Sequence, residues 1–135
     1  MTFEIRPLGW VESPLTDPAE APKQGDEGAP DACIAFEPDV LDALDGIAEG
    51  DGVIVLTWLD RADREVLRVH PRGDPSRPEQ GVFTTRSPDR PNPIGLHRVR
   101  VLAIDGPRVE VQNLEALDGT PVVDVKPVIG GIRER

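Results

Sequence analysis

The chain has 135 residues, 38% of them hydrophobic and 4% aromatic, with a formal net charge of −10 at pH 7; it is expected to form one domain over residues 1–135, with an aliphatic core and little room for a second domain. Fifteen prolines and 13 glycines exclude a helical bundle and favour short strands joined by turns. A single cysteine, Cys33, excludes an internal disulfide and a cysteine-based zinc site.

Phe3–Val11 reads as a first strand, with the Pro7-Leu8-Gly9 step marking a bulge or a sheet edge. Residues 13–32 carry four prolines and five acids without periodicity and read as one long loop. Cys33–Phe36 is a short apolar strand. Glu37–Leu44 has Pro38 in a first turn, acids near the positive end and apolar residues at 40, 41 and 44, which predicts a helix of about two turns. Gly52–Leu59 is a continuous β-branched and apolar run, predicted as a fully buried strand. Glu65–His70 alternates and is predicted to pair with it across an Asp60–Arg64 turn. Gly81–Thr85 and Leu96–Ile104 complete the central strands. Asp105-Gly106 signals a hairpin into Arg108–Val111, and Asp118-Gly119 a second one before Val122–Val125. The pattern predicts a mainly β fold, a small β-barrel with one or two short helices. No apolar run reaches the roughly 20 residues of a membrane helix. Met1–Pro7 lacks the layout of a signal peptide. A cytoplasmic protein with no membrane association is expected.

Charge is distributed unevenly. Residues 1–60 hold 2 basic and 14 acidic residues, whereas residues 61–100 hold 9 arginines and 5 acids together with His70 and His97. A polyanion would therefore have to meet the central segment. Within it, Arg86–Leu96 places Pro88, Pro91 and Pro93 in a stretch that also carries Arg86, Arg90 and Asn92. Proline fixes φ and removes a donor, so this loop is stiff and presents its polar side chains to a ligand without a large entropy cost. Asp124 and Lys126 share a strand face, either as a tuned acid/base pair or as an ion pair. The two histidines have no cysteine partners and no His-x-x-x-His spacing, so no metal is expected, and both read as ordinary surface residues. Glycine-rich phosphate loops and Gly-x-Ser-x-Gly are absent from the sequence.

Two segments carry a family resemblance. Gly81–Leu96, GVFTTRSPDRPNPIGL, resembles the G-V-F-A-T-R-S-P-x-R-P-N-P-I-G signature of the TsaA-like, TrmO family. Leu114–Pro127, LEALDGTPVVDVKP, is similar to that family's L-D-x-x-D-G-T-P-x-x-D-I-K-P segment, with Glu115 where Asp is common. The opening Ile5…Leu8-Gly9…Val11-Glu12-Ser13-Pro14 fits as well, so the likeness spans nearly the whole chain.

The resemblance implies a β-barrel methyltransferase that uses S-adenosylmethionine without a Rossmann fold, works as a homodimer with its cofactor near the dimer interface, and methylates the exocyclic amine of N6-threonylcarbamoyladenosine beside the tRNA anticodon. It implies cofactor contacts from Lys23, Gln24 and Gly25, from Arg86, Leu96, Leu114 and Glu115, and from Asp60 and Arg61, which replace the family's frequent His-Gln pair. Arg86 would hold the cofactor carboxylate, Leu96 and Leu114 the adenine, and Glu115 the ribose hydroxyls. On the acceptor side Arg90, Asn92 and Lys126 are expected contacts; with tRNA as substrate, the arginine-rich stretch would set Arg61, Arg64, Arg68, Arg72 and Arg77 on its phosphates, and Asp118 and Asp124, which match the family's D-G-T-P-x-x-D segment, are the candidate proton acceptors. The apolar Val128–Ile132 segment is expected at the dimer contact. Two alternatives stand beside this reading: a small-molecule methyltransferase, and a non-catalytic S-adenosylmethionine-binding module.

Overall fold

Six strands wrap into a closed barrel in the order β1 (Gly9–Glu12), β2 (Ala32–Phe36), β7 (Arg108–Gln112), β6 (Ile94–Asp105), β3 (Gly52–Trp58) and β8 (Pro121–Pro127), all neighbours antiparallel. The computed structural model describes residues 1–17 and 29–129. A separate two-stranded ribbon pairs β4 (Arg68–Val69) with β5 (Gln80–Gly81). Closure removes the exposed sheet edges that a short-stranded chain would otherwise present.

Alternation builds the interior. Along β6 every second residue from Gly95 to Val101 is buried while Ile94, Leu96, Arg98 and Arg100 face out, as a period of two requires. The core joins Val11, Ile34, Phe36, Val53, Val55, Val99, Val101, Val109, Val111, Leu114 and Val122. This is the aliphatic core expected of a chain so poor in aromatics. The Gly106–Pro107 turn links Asp105 to Arg108, with Gly106 at φ +58°, a conformation that costs glycine little.

Several elements differ from the sequence reading. The first strand is confined to Gly9–Glu12, and Phe3 and Ile5 are exposed. Residues Pro38–Leu44 form a 3-10 helix with no fully buried residue. Val40, Leu41 and Leu44 lean on the barrel core without entering it. The Gly52–Trp58 run is buried on alternate residues only; its other face is the outer barrel wall, where Leu56 lies opposite Leu96 and Trp58 opposite Ile94. Glu65–His70 does not pair with this strand, whose neighbours are β6 and β8. Only Arg68 and Val69 are extended, and they pair with Gly81 and Gln80. Val82–Thr84 is a 3-10 turn rather than strand. Asp118-Gly119 is a turn but not a hairpin, because β8 pairs with β1 and β3 and not with β7. No described helix is long and apolar enough to cross a membrane.

Candidate functional site

The arginine-bearing loop is held from both sides. Arg90 donates through Nε to the Ser87 carbonyl at 2.7 Å, and through Nη2 to the carbonyls of Val82 at 2.9 Å and Thr85 at 2.6 Å. One planar guanidinium thus gathers three carbonyls that prolines and a tight turn leave without strand partners. Arg64 donates through Nε to the Pro91 carbonyl at 2.7 Å and through Nη2 to Asn92 Oδ1 at 2.9 Å, and its guanidinium lies 5.1 Å from the centre of the Trp58 ring. Asp89 Oδ1 accepts the Asp63 N–H at 2.9 Å, and the Leu59 N–H reaches the Pro93 carbonyl at 2.8 Å. The segment after β3 therefore docks on this loop instead of forming a hairpin. Arg86, on the same frame, is exposed and has no hydrogen bond or ion pair among the described residues.

A buried polar chain lies inside the barrel. His97 Nε2 is 2.7 Å from Thr57 Oγ1 and its Nδ1 is 2.7 Å from Glu115 Oε1. Thr57 is fully buried, the His97 side chain is 5% exposed and that of Glu115 15%. Sequence reasoning placed His97 on the surface, yet the alternation Gly95-His97-Val99-Val101 carried the signal that it faces inward. Gly95 leaves room for the pair: a Cβ there would stand 2.5 Å from Thr57 Oγ1 and 2.8 Å from His97 Nε2.

The remaining expected site residues are dispersed. Leu96 lies on the outer wall, whereas Leu114 is wholly buried in the core, so the two side chains do not face one ligand. Asp118 Oδ1 accepts the Ser13 N–H at 3.0 Å, and the Asp118 N–H reaches the Leu15 carbonyl at 2.7 Å. Asp124 accepts its neighbour's Val125 N–H at 2.9 Å and pairs with Lys126 at 3.2 Å. Arg68 pairs with Glu79 at 3.1 Å, and Arg61 donates to the Thr16 carbonyl at 3.3 Å. Asp60 and Arg72 are exposed. Arg77 stands near Asp74, whose carboxyl is held below its ordinary value by the Ser76 hydroxyl and then the Ser76 N–H, with the Arg77 charge a smaller cause. Lys23, Gln24 and Gly25 lie outside the described residues. Among the described residues no cluster of three or more His, Cys, Asp or Glu could hold a metal ion.

Fold and loop together define a small closed β-barrel whose rigid, arginine-bearing loop leads into the strand where His97 holds a largely buried carboxylate. The model of the tRNA-methyltransferase O N-terminal domain matches residues 10–132, and the chain belongs to that family. It is 46% identical over 127 residues to a probable S-adenosyl-L-methionine-binding protein of Methanothermobacter thermautotrophicus, covering 94% of this chain and 90% of the relative. It is 45% identical over 122 residues to an S-adenosyl-L-methionine-binding protein of Archaeoglobus fulgidus, covering 90% and 86%. Crystal structures of TrmO superpose with TM-scores of 0.79 at 29% identity and, for the Pseudomonas aeruginosa protein, 0.78 at 27%. Both cover 100% of this chain but 62% and 61% of the respective TrmO chains.

Proposed function

We propose that the chain is an S-adenosylmethionine-dependent methyltransferase that acts in the cytoplasm on N6-threonylcarbamoyladenosine of tRNA. Arg86 carries this reading: a guanidinium without a partner among the described residues, on a frame stiffened by Arg90 and Arg64, is suited to the cofactor's carboxylate. The side chains present fit the rest of such a ligand in part. Leu96, 43% exposed, offers an apolar surface to a purine ring, and Glu115 keeps Oε2 without a partner among the described residues. Leu114, fully buried, offers only main chain. Lys23, Gln24, Gly25, Asp60 and Arg61 complete the proposed cofactor set.

S-adenosylmethionine supplies an electrophilic methyl group on a sulfonium sulfur, and the acceptor nitrogen must lose a proton as it is methylated. Asp118 is the better candidate to take that proton. One of its oxygens is engaged by Ser13, whereas Asp124 has both oxygens engaged. Arg90, Asn92, Lys126 and Arg72 are the proposed acceptor contacts on the expected pattern, with Arg90, Asn92 and Lys126 also holding bonds within the chain. The commitment of Arg64 and Arg68 to bonds within the chain favours a second reading, a small-molecule acceptor on the same barrel. The apolar outer wall of Leu56, Trp58, Ile94 and Leu96 supports a homodimer.

Nucleoside mass spectrometry of tRNA from a strain lacking this gene separates the readings. Loss of methylated threonylcarbamoyladenosine, restored by the gene but not by its Arg86→Ala form, is the expected result. An unchanged nucleoside profile, with calorimetric binding of S-adenosylmethionine intact, would leave the small-molecule acceptor.

A further inference from the structure

We propose that His97 is a positioning residue for Glu115, clamped in turn by Thr57, so that one Glu115 oxygen is fixed and the other is aimed as an acceptor at a ribose hydroxyl of the bound nucleoside. This deepens the cofactor-site reading and rests on it. A histidine buried in an aliphatic barrel is costly unless both ring nitrogens are satisfied. Here both are, at 2.7 Å on each side. Among the described residues Thr57 has no other hydrogen-bond partner for its hydroxyl, so that hydroxyl donates to Nε2. Nδ1 then carries the hydrogen that it gives to Glu115 Oε1. The bonds run in one direction, from threonine through imidazole to carboxylate.

The chain of bonds ends incompletely. Glu115 sits between Leu114, 0% exposed, and Ala116, 3% exposed, and its side chain is 15% exposed, yet Oε2 has no partner among the described residues. A carboxylate so far removed from water is stabilised by further donors. A ribose presents hydroxyl donors, and a carboxylate whose first oxygen is fixed has little freedom left to lose when its second meets them. The missing side chain at Gly95 gives the Thr57–His97 contact its space. Glu115 is thus the contacting group, and His97 acts through it.

Calorimetry on the full chain tests this, with S-adenosylhomocysteine and its 2′-deoxy and 3′-deoxy forms as probes. The wild-type chain should prefer the ribose form over at least one deoxy form by about tenfold or more, as a site built around a hydroxyl does. Glu115→Gln should weaken that preference. His97→Phe should bring it to within about threefold by loss of affinity for the ribose form alone. His97→Asn, whose side-chain amide can donate where Nδ1–H does, should retain most of it. Thermal melting of each variant reports folding. If His97→Phe does not fold, Thr57→Val, which keeps the shape and removes the donor, should lower the preference in its place. An unchanged preference in His97→Phe, or an equal loss for all three probes, overturns the positioning role. Failure of the wild-type chain to bind any of the probes overturns the cofactor reading itself, and this inference with it.

Discussion

Replacing Gly95 by alanine puts a methyl group where the barrel has none to spare. The new Cβ would stand 2.5 Å from Thr57 Oγ1, 2.8 Å from His97 Nε2 and 3.2 Å from Leu59 Cδ2. Thr57 cannot swing aside freely, because it is β-branched, fully buried and bonded to His97. Overpacking of this kind costs about 1–3 kcal/mol, and a broken Thr57–His97 bond leaves buried polar atoms unsatisfied at about 1–3 kcal/mol more. The lower entropy of alanine in the unfolded chain returns about 0.4–1 kcal/mol. The expected net loss is about 3 kcal/mol, or roughly 10 °C in Tm for a domain of this size. Urea unfolding followed by the fluorescence of Trp10 and Trp58 measures it, and the Gly95→Ala/Thr57→Ala double variant isolates the cause. Removing Oγ1 relieves the closest contact, so the two losses should fall short of additivity by more than about 1 kcal/mol. Strict additivity, or a Gly95→Ala loss below about 1 kcal/mol, would show that the interior is not packed as described.

Arg86→Ala should weaken S-adenosylmethionine binding about thirtyfold, roughly 2 kcal/mol, while leaving Tm unchanged, since Arg86 has no partner among the described residues; a calorimetric affinity equal to that of the wild-type chain would remove it from the site. Arg90→Ala should cost about 2–3 kcal/mol through its three lost carbonyl bonds and raise hydrogen exchange over residues 82–87, and Arg90→Lys should not rescue it, because an ammonium lacks the planar fork. Asp118→Ala should lower stability by about 1–2 kcal/mol, whereas Asp124→Asn, which alters a half-exposed ion pair, should cost less than about 1 kcal/mol in the same urea titration. Light scattering should report a mass twice the monomer's 14.7 kDa, and Leu96→Asp on the outer wall should shift the population to monomer; a wild-type chain that already scatters as a monomer refutes the dimer.

The local sequence determines much of this protein. Proline and glycine density, the Asp105-Gly106 turn and the alternation of β6 follow from backbone sterics and side-chain period, which act over a few residues. The stiffness of the Arg86–Leu96 loop was equally local, written in Pro88, Pro91 and Pro93. Strand partners were not local. Nothing within Glu65–His70 tells that the barrel wall beside Gly52–Trp58 is already occupied by β6 and β8, because closure is decided by segments tens of residues away. The same holds for the arginines. Composition treats Arg64, Arg86 and Arg90 alike, but only the folded chain brings carbonyls to Arg90, and Trp58 and Asn92 to Arg64, while giving Arg86 no partner among the described residues. It also decides that His97 meets Thr57 from an adjacent strand and Glu115 from the segment between β7 and β8. Hydrogen bonds of that kind depend on three-dimensional proximity, which the packing of a closed barrel sets and no short stretch of sequence encodes.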